Sequence, residues 1–177
     1  MDINSRINWM PGIELTAETF SGIADHWDFR HRIAIRTALG GNHMGLVPGA
    51  PFSCNGTFVK NRFEVSGLQC MALLPSGKIV NADEDIQVSI PMLFGDKYYL
   101  TIGISKDQTE FEKKGVPFVR PRYSYGISTI EEIETGDLFP LVRFKAADGV
   151  FSVDTDFIPP CLLLEDNPRF KEYIDRY

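Results

Sequence analysis

The chain has 177 residues, 44% of them hydrophobic, and its 13 Phe, 6 Tyr and 2 Trp can fill the core of one domain. A net charge of −6 argues against nucleic acid as a partner, and the absence of a signal peptide pattern or an apolar run of about 20 residues argues against secretion and direct membrane insertion. The three widely spaced cysteines, Cys54, Cys70 and Cys161, are typical of reduced thiols in a cytoplasmic protein.

The first predicted element is an amphipathic helix from about Ala17 to about Leu39. Thr16 stands at the N-cap position, and Gly40-Gly41 closes the helix. Apolar residues and one histidine recur at three- and four-residue steps, the spacing of one helix face: Phe20, Ile23, Ala24, Trp27, His31, Ala34, Ile35 and Ala38. Such a helix must lie against a sheet or another subunit. We expect it to pack on the β core through Phe20, Ile23, Trp27 and Ala34.

Short strands are predicted for most of the chain after this helix. Asn55-Gly56 is a two-residue hairpin signal, and the apolar phase shifts at Gly67, which predicts a β-bulge. Clean alternation over Ile86–Met92 and over Tyr98–Ile104 predicts two antiparallel neighbours. The acidic run 82–85 predicts a solvated loop.

Signals in the second half of the chain continue this mainly β pattern. Residues 106–115 predict a loop or an edge element, and Pro121 fits an edge strand because proline has no N–H for a ladder. Ser128 and Glu131 fit a capping box of a short helical turn. The predicted fold is therefore mainly β, an antiparallel β sandwich or barrel with one long N-terminal amphipathic helix and a truncated C-terminal helix.

The last stretch of the chain has a different character. Pro159-Pro160 should end the last strand, and Asn167-Pro168 predicts an N-cap followed by proline at the first helical position. Apolar residues follow at helical spacing: Phe170, Tyr173, Ile174 and Tyr177. We expect these residues to begin a seam between subunits, in a helix that continues past Tyr177. The expected organisation is a β-rich domain over 1–166 and the start of a helix over 167–177.

No catalytic set and no metal or cofactor site is predicted. His26 and His31 are five residues apart, about 140° around a helix, whereas metal-binding pairs on a helix are four apart. The cysteines lack CxxC spacing, and no nucleotide-binding or nucleophile motif occurs. One set of polar residues has two interpretations: Arg120, Arg122, Tyr123 and Tyr125. They could form a carbohydrate- or anion-binding strip, and the simpler interpretation is an edge strand whose charges prevent pairing with another chain.

Two motifs, one near each end, resemble the TssK family, the baseplate subunits of the bacterial type VI secretion system. The N-terminal segment W-M-P-G-I-E-L-T-A-E-T-F has residues at the places where the family has Trp, Gly, Leu and Phe: Trp9, Gly12, Leu15 and Phe20. Met10-Pro11 and residues 17–19 depart from the family pattern. The later segment F-I-P-P-C-L resembles the family's [Y/F]-I-P-P-C-L through Phe157, Ile158, Pro159, Pro160 and Cys161.

The resemblance implies a β-rich N-terminal shell domain over 1–166, similar to the shoulder domain of phage receptor-binding proteins, and the start of a neck helix over 167–177. It implies a non-catalytic, cytoplasmic adaptor that contacts other baseplate subunits and reaches the membrane complex through an absent C-terminal head. It also implies a homotrimer in the full-length form. The candidate interface residues are Trp27, Phe170, Tyr173, Ile174 and Tyr177. The alternative is a β-sandwich carbohydrate- or small-ligand-binding module of phage-tail type.

Overall fold

The computed structural model describes residues 10–40, 43–90, 97–113, 115–147 and 150–163. Its two helices are α1 (Ala17–Leu39) and α2 (Ile130–Thr135). Its strands are β1 (Gly45–Leu46), β2 (Gly56–Val59), β3 (Arg62–Leu73), β4 (Ile79–Ser89), β5 (Lys97–Lys113), β6 (Val116–Ser128), β7 (Leu138–Ala147) and β8 (Val150–Val153). The strands form two antiparallel sheets, so the mainly β, antiparallel prediction is confirmed.

The first sheet is built on the long strand β3. One edge of β3 pairs with β2 along its first half and with β1 at its end, and the other edge pairs with β4. The second sheet has the order β6-β5-β7-β8. β4 and β6 are therefore edge strands of different sheets, and their positions define one of the surfaces described below.

The core lies between the two sheets, and residues of both sheets fill it. Phe63 of β3 meets Phe144 of β7 edge-on, with ring centroids 4.8 Å apart. Phe58 of β2 packs on both rings, at 4.9 and 5.3 Å. Aliphatic residues of both sheets, such as Leu68 and Ile102, are fully buried around this cluster. Burial of these side chains is the main stabilising contribution to the sandwich.

Several local predictions are confirmed. The hydroxyl of Thr16 accepts a hydrogen bond from the N–H of Thr19 at 3.2 Å, as an N-cap should. The register of β3 against β4 shifts between Val65 and Leu68, where Gly67 has φ +64° and donates from its N–H to Asp85 at 2.6 Å. Pro121 lies in β6, the edge strand of its sheet.

Two predictions about turns are wrong. Gly56 is the first residue of β2, and the β2–β3 turn falls instead at Lys60 and Asn61, with Lys60 at φ 54°. Gly56 serves close packing, because a Cβ there would stand 2.5 Å from the ring of Phe63. The capping box of α2 lies one residue later than predicted, between Thr129 and Glu132.

Two predictions about strands are also wrong. Alternation over Ile86–Met92 and Tyr98–Ile104 suggested one antiparallel pair, but β4 pairs with β3 while β5 pairs with β6 and β7; Met92 itself lies outside the described residues. The acidic run 82–85 is part of β4 and not a loop. Its charged side chains point to solvent while Ala82 and Ile86 are buried, so the strand keeps an apolar inner face.

The predicted packing of α1 on the sheet through its apolar stripe is wrong for this chain. α1 has the predicted bounds, but none of its residues is buried. Phe20 and Trp27 are 55% and 53% exposed, and Ala34 is exposed as well. Ile23 and Ile35, two other members of the stripe, are half-buried. The stripe is therefore not buried in the β core.

Candidate interaction surface

The segment Phe157–Cys161 is an extended connector that leaves the second sheet and runs along the first. The N–H of Leu46 in β1 donates to the carbonyl of Pro160 at 2.8 Å, and the carbonyl of Leu46 accepts from the N–H of Leu162 at 3.2 Å. The prediction that the double proline ends the last strand is wrong: β8 ends at Val153, because the chain turns at Asp154, whose carbonyl accepts from the N–H of Phe157 at 3.2 Å. The connector therefore joins the two sheets at one end of the sandwich.

Asp154, just before this connector, has a buried carboxylate that accepts hydrogen bonds from several groups. Its side chain is fully buried and accepts from Arg143 at 2.5 Å, from Lys145 at 2.7 Å and from the N–H of Asp156 at 3.1 Å. The hydrogen bond from Lys145, together with that from Arg143, lowers the pKa of Asp154 to about 2. The carboxylate stays ionised and fixes the chain where it leaves β8.

Phe157, the first residue of the connector motif, is held by two neighbours from the second sheet. Its ring packs edge-on against Tyr99 at 5.6 Å, and the guanidinium of Arg143 lies 5.3 Å from its centroid. The same arginine binds Asp154. The motif that suggested a family in the sequence therefore makes contacts that support the fold of this chain.

Gly45 is expected to be intolerant of substitution because the connector passes directly over it. A Cβ at Gly45 would stand 2.6 Å from the nitrogen of Leu162 and 2.7 Å from the carbonyl carbon of Cys161. We expect Gly45→Ala to lower the free energy of unfolding by about 1–3 kcal/mol, measured by urea denaturation.

The matched control for this prediction is Gly22→Ala in α1. Nothing lies within 4 Å of a Cβ at Gly22, and alanine is favoured over glycine within a helix by about 1 kcal/mol. This control should be neutral or stabilising. Equal stability of Gly45→Ala and the unmodified chain would show that the connector does not press on β1.

The N-terminal motif, unlike the connector, has its described apolar residues exposed. Gly12 has φ +89° in a turn closed by a hydrogen bond from the N–H of Ile13 to the carbonyl of Met10. Leu15 is 58% exposed, and Phe20 lies on the exposed stripe of α1. Trp9 lies outside the described residues.

Trp27 is the one candidate interface residue within the described part of the chain. Its ring contacts two residues of its own helix, the guanidinium of Arg30 at 5.5 Å and the ring of His31 at 6.0 Å. Trp27 is 53% exposed, so part of the indole is accessible to another molecule. The other candidates, Phe170, Tyr173, Ile174 and Tyr177, and the predicted helix over 167–177 lie outside the described residues.

A second exposed apolar surface lies on a ribbon in the region predicted as a loop or an edge element. Beyond a bulge between Ile104 and Gln108, β5 and β6 continue as a two-stranded arm over residues 108–113 and 116–121. Phe111 and Phe118 stack across the arm at 5.5 Å, and Arg120 lies 5.9 Å from the centroid of Phe111. The signal in the sequence was the period of two in Thr109, Phe111 and in Val116, Phe118, Arg120 on either side of a short turn.

Three residues of the polar strip of the alternative interpretation line a cleft of about 640 Å³ between the edge strands β4 and β6: Arg120, Arg122 and Tyr123. The hydroxyl of Tyr123 bonds both to the N–H of Asn81, at 2.9 Å, and to its carbonyl, at 3.0 Å. The hydroxyl of Tyr125 donates to Glu84 at 2.6 Å, and burial together with this bond raises its pKa. Both hydroxyls are thus used to tie β4 to the other sheet.

The cysteine thiols and clusters of possible metal ligands are the remaining groups of interest for chemistry. Burial raises the pKa of the Cys54 and Cys70 thiols to about 12, so neither is a thiolate near neutral pH. In the described ranges, no group of three or more His, Cys, Asp or Glu could hold a metal ion. No helix of the described chain is both long and apolar enough to cross a membrane.

The described residues define a β-sandwich domain with a long exposed helix, a projecting arm and a connector that joins its two sheets. Exposed apolar surface of this kind marks sites where proteins bind one another. The sequence matches no protein-family model and no curated protein.

Solved structures share the fold over nearly the whole chain. A crystal structure of TssK matches 99% of this chain with a TM-score of 0.64 and 12% identity. A chain of the type VI secretion system TssK–TssF–TssG baseplate subcomplex matches 99% of it, with a TM-score of 0.66 and 14% identity. A chain of a type VI baseplate complex matches 97%, with a TM-score of 0.60 and 16% identity. The fold is the one found in TssK.

The length of this chain differs from that of the structures it matches. It spans 46% of the TssK chain in the crystal structure, and 68% and 64% of the chains in the two baseplate complexes. At 12–16% identity, the likeness concerns the fold.

Proposed function

We propose that this chain is a structural part of a type VI secretion baseplate. Residues 1–166 would form the shell domain of a TssK-like subunit, and residues 167–177 would begin its neck helix. The observation that supports this proposal most is the shared fold over 97–99% of the chain. Two motifs of the family also occur in the sequence, in the order in which the family has them.

The surfaces of the domain support a role in assembly rather than catalysis. The exposed stripe of α1 and the aromatic pair Phe111–Phe118 present apolar groups to solvent, which is costly unless another molecule covers them. Asp154 and Tyr125 have strongly shifted pKa values; Asp154 is held by Arg143 and Lys145 of β7, and Tyr125 joins the two sheets through Glu84. These contacts account for both pKa shifts, so the shifts do not point to a catalytic role.

The partners we propose are other baseplate subunits of the TssF and TssG type. In the full-length form we propose a cytoplasmic homotrimer that reaches the membrane complex through a C-terminal head. Phe170, Tyr173, Ile174 and Tyr177 would begin the seam between the three subunits. A longer reading frame that continues past Tyr177 into apolar helix would support this arrangement, and such a chain should be a stable trimer in light scattering.

Binding to the TssF–TssG complex is the direct test of the proposed function. The tagged 177-residue chain should retain purified TssF and TssG of the same organism, because a shared shell fold would present the same docking geometry. Size-exclusion chromatography with light scattering should show one complex. The variant Val59→Ala, which changes an exposed residue of β2, serves as a folded control and should bind equally.

Two outcomes would contradict this function. One is a source organism without type VI baseplate genes, and the other is a folded chain that shows no binding at micromolar concentrations. Specific binding of a glycan or an anion, lost in Arg122→Ala, would favour the alternative ligand-binding module instead. Arg122 is the informative position because it lines the cleft between β4 and β6.

A further inference from the structure

The β5–β6 arm extends from the sandwich with both of its faces uncovered by the described residues. β7 pairs with β5 only as far as Gly103, so beyond the bulge the two strands of the arm pair only with each other in the described ranges. Every residue of the arm except Thr109 is exposed. A two-stranded ribbon without a third strand or a helix is marginally stable in water, so a partner that covers one face would also stabilise the arm.

The register of the arm sorts its charged side chains between the two faces. Residues directly opposite each other in an antiparallel pair share a face, and successive pairs alternate between the faces. We call one of them the aromatic face, and it is formed by three pairs: Thr109↔Arg120, Phe111↔Phe118 and Lys113↔Val116. The reverse face is formed by the other three pairs: Gln108↔Pro121, Glu110↔Val119 and Glu112↔Pro117. The pairs of the aromatic face include two cations and no carboxylate, and those of the reverse face include two carboxylates and no cation.

The cations of the aromatic face are not neutralised by acidic residues in the described part of this chain. No ion pair joins Arg120 or Lys113 to a carboxylate there, and the guanidinium of Arg120 lies 5.9 Å from the centroid of the Phe111 ring. Phe111 and Phe118 are 41% and 43% exposed, and their rings stack at 22°. Aromatic and arginine side chains contribute most to binding between proteins. The aromatic face is therefore complementary to an apolar patch bordered by carboxylates.

Two other ways of covering the arm are unfavourable. Addition of a strand to the outer edge of β6 needs a row of N–H donors, and Pro117 and Pro121 have none. A second copy of this chain, docked two-fold through the same face, would bring two copies of Lys113 and two of Arg120 into one contact with no carboxylate. A front-to-back contact between copies would match charges but would not close, and it would build a filament. The occupant is therefore a different molecule.

We propose that the aromatic face of the arm docks on an apolar, acidic patch of another protein. The identity of that protein rests on the proposed function, which makes it the TssF–TssG complex. An anionic lipid surface is a poorer match because Glu110 and Glu112 of the reverse face would approach the negatively charged headgroups together with the cations.

A pair of neighbouring residues in β6 tests which face docks. Phe118 and Val119 are both exposed and belong to opposite faces of the arm. We expect Phe118→Ala to raise the dissociation constant of the 177-residue chain for purified TssF–TssG about tenfold or more. Val119→Ala is the matched control and should change it by less than about twofold. Because both side chains are exposed, both variants should fold, and the midpoint of urea denaturation checks this.

Two neutralised charges test the chemistry of the partner. Arg120→Gln and Glu110→Gln each remove one charge from the arm, on opposite faces. Arg120→Gln should raise the dissociation constant for TssF–TssG about threefold or more and weaken its dependence on sodium chloride. Glu110→Gln should leave the dissociation constant unchanged or lower it. The reverse order of effects would show that the reverse face docks, and it would overturn the proposal.

Three further results would overturn it. Unchanged binding of Phe118→Ala to TssF–TssG would reject the aromatic face and leave the proposed function standing. Absence of binding by the unmodified chain would reject the proposed function and this proposal with it. Sedimentation of the chain with vesicles of phosphatidylglycerol and phosphatidylcholine, lost in Phe118→Ala, would identify a lipid surface as the occupant.

Discussion

Phe144→Ala is expected to lower the free energy of unfolding by about 3–5 kcal/mol. Phe144 is 1% exposed, and its ring contacts Phe63 and Phe58 of the opposite sheet. The substitution would remove buried apolar surface and leave a cavity where the two sheets meet. Since neighbouring rings cannot close the gap without moving a sheet, the cost should be near the upper end of large-to-small substitutions. Chemical denaturation followed by circular dichroism measures it.

The control for this prediction is Phe111→Ala on the β5–β6 arm. The same chemical change at a side chain 41% exposed should cost no more than about 1 kcal/mol. The pair Phe63→Ala and Phe144→Ala should also be non-additive, with a coupling of about 0.5–3 kcal/mol, because the two rings are in direct contact. Additive effects would mean that the two rings do not lock the sheets together.

Asp154→Asn is expected to destabilise the protein at neutral pH and to have little effect in acid. The pKa of Asp154 is about 2 in the folded chain, against an ordinary value of 3.8. A carboxylate whose folded pKa is depressed contributes stability that is fully present above its unfolded pKa and is lost as the pH falls through its folded pKa. The contribution of Asp154 should therefore disappear between about pH 5 and about pH 2. Asparagine has no charge to lose over this range.

The measurement is the denaturation midpoint of both proteins across this pH range. The difference between them should be largest at neutral pH, because the variant leaves Arg143 and Lys145 without their shared anion. Asp156→Asn is the control, since Asp156 is 84% exposed and its oxygen is 3.7 Å from Lys145; an exposed pair contributes little. A difference that stays constant from neutral pH to pH 2 would contradict a role for the ionised carboxylate.

The sequence was sufficient where a feature depends on residues close together in the chain. The bounds of α1 followed from Thr16 and the glycine at its end, and the bulge at Gly67 followed from a change of phase. The edge position of Pro121 followed from its missing N–H. Each of these is decided within a few residues by capping, φ preference or a missing donor.

The candidate surface was predicted only in part. The three- and four-residue spacing of apolar residues in α1 could be seen in the sequence, but the exposure of Trp27 could not, since the same spacing is expected of a helix that packs on the sheet. The arm was concealed because Phe111 and Phe118 are separated by charged residues and a turn, a pattern also typical of a solvated loop. The sequence did not indicate that glycine is required at position 45. The requirement arises from the close approach of Leu162, which lies more than a hundred residues later in the chain.

The sequence by itself determined which residues form the helix and most strands, and which side of each strand is apolar. Only the tertiary structure decided that β4 pairs with β3 and β5 with β7, and that the connector closes the sandwich over β1. The physical reason is that alternation fixes the buried face of a strand but carries no information about its neighbour. Pairing is chosen by long-range packing, in which rings such as Phe63 and Phe144 must fill one common space.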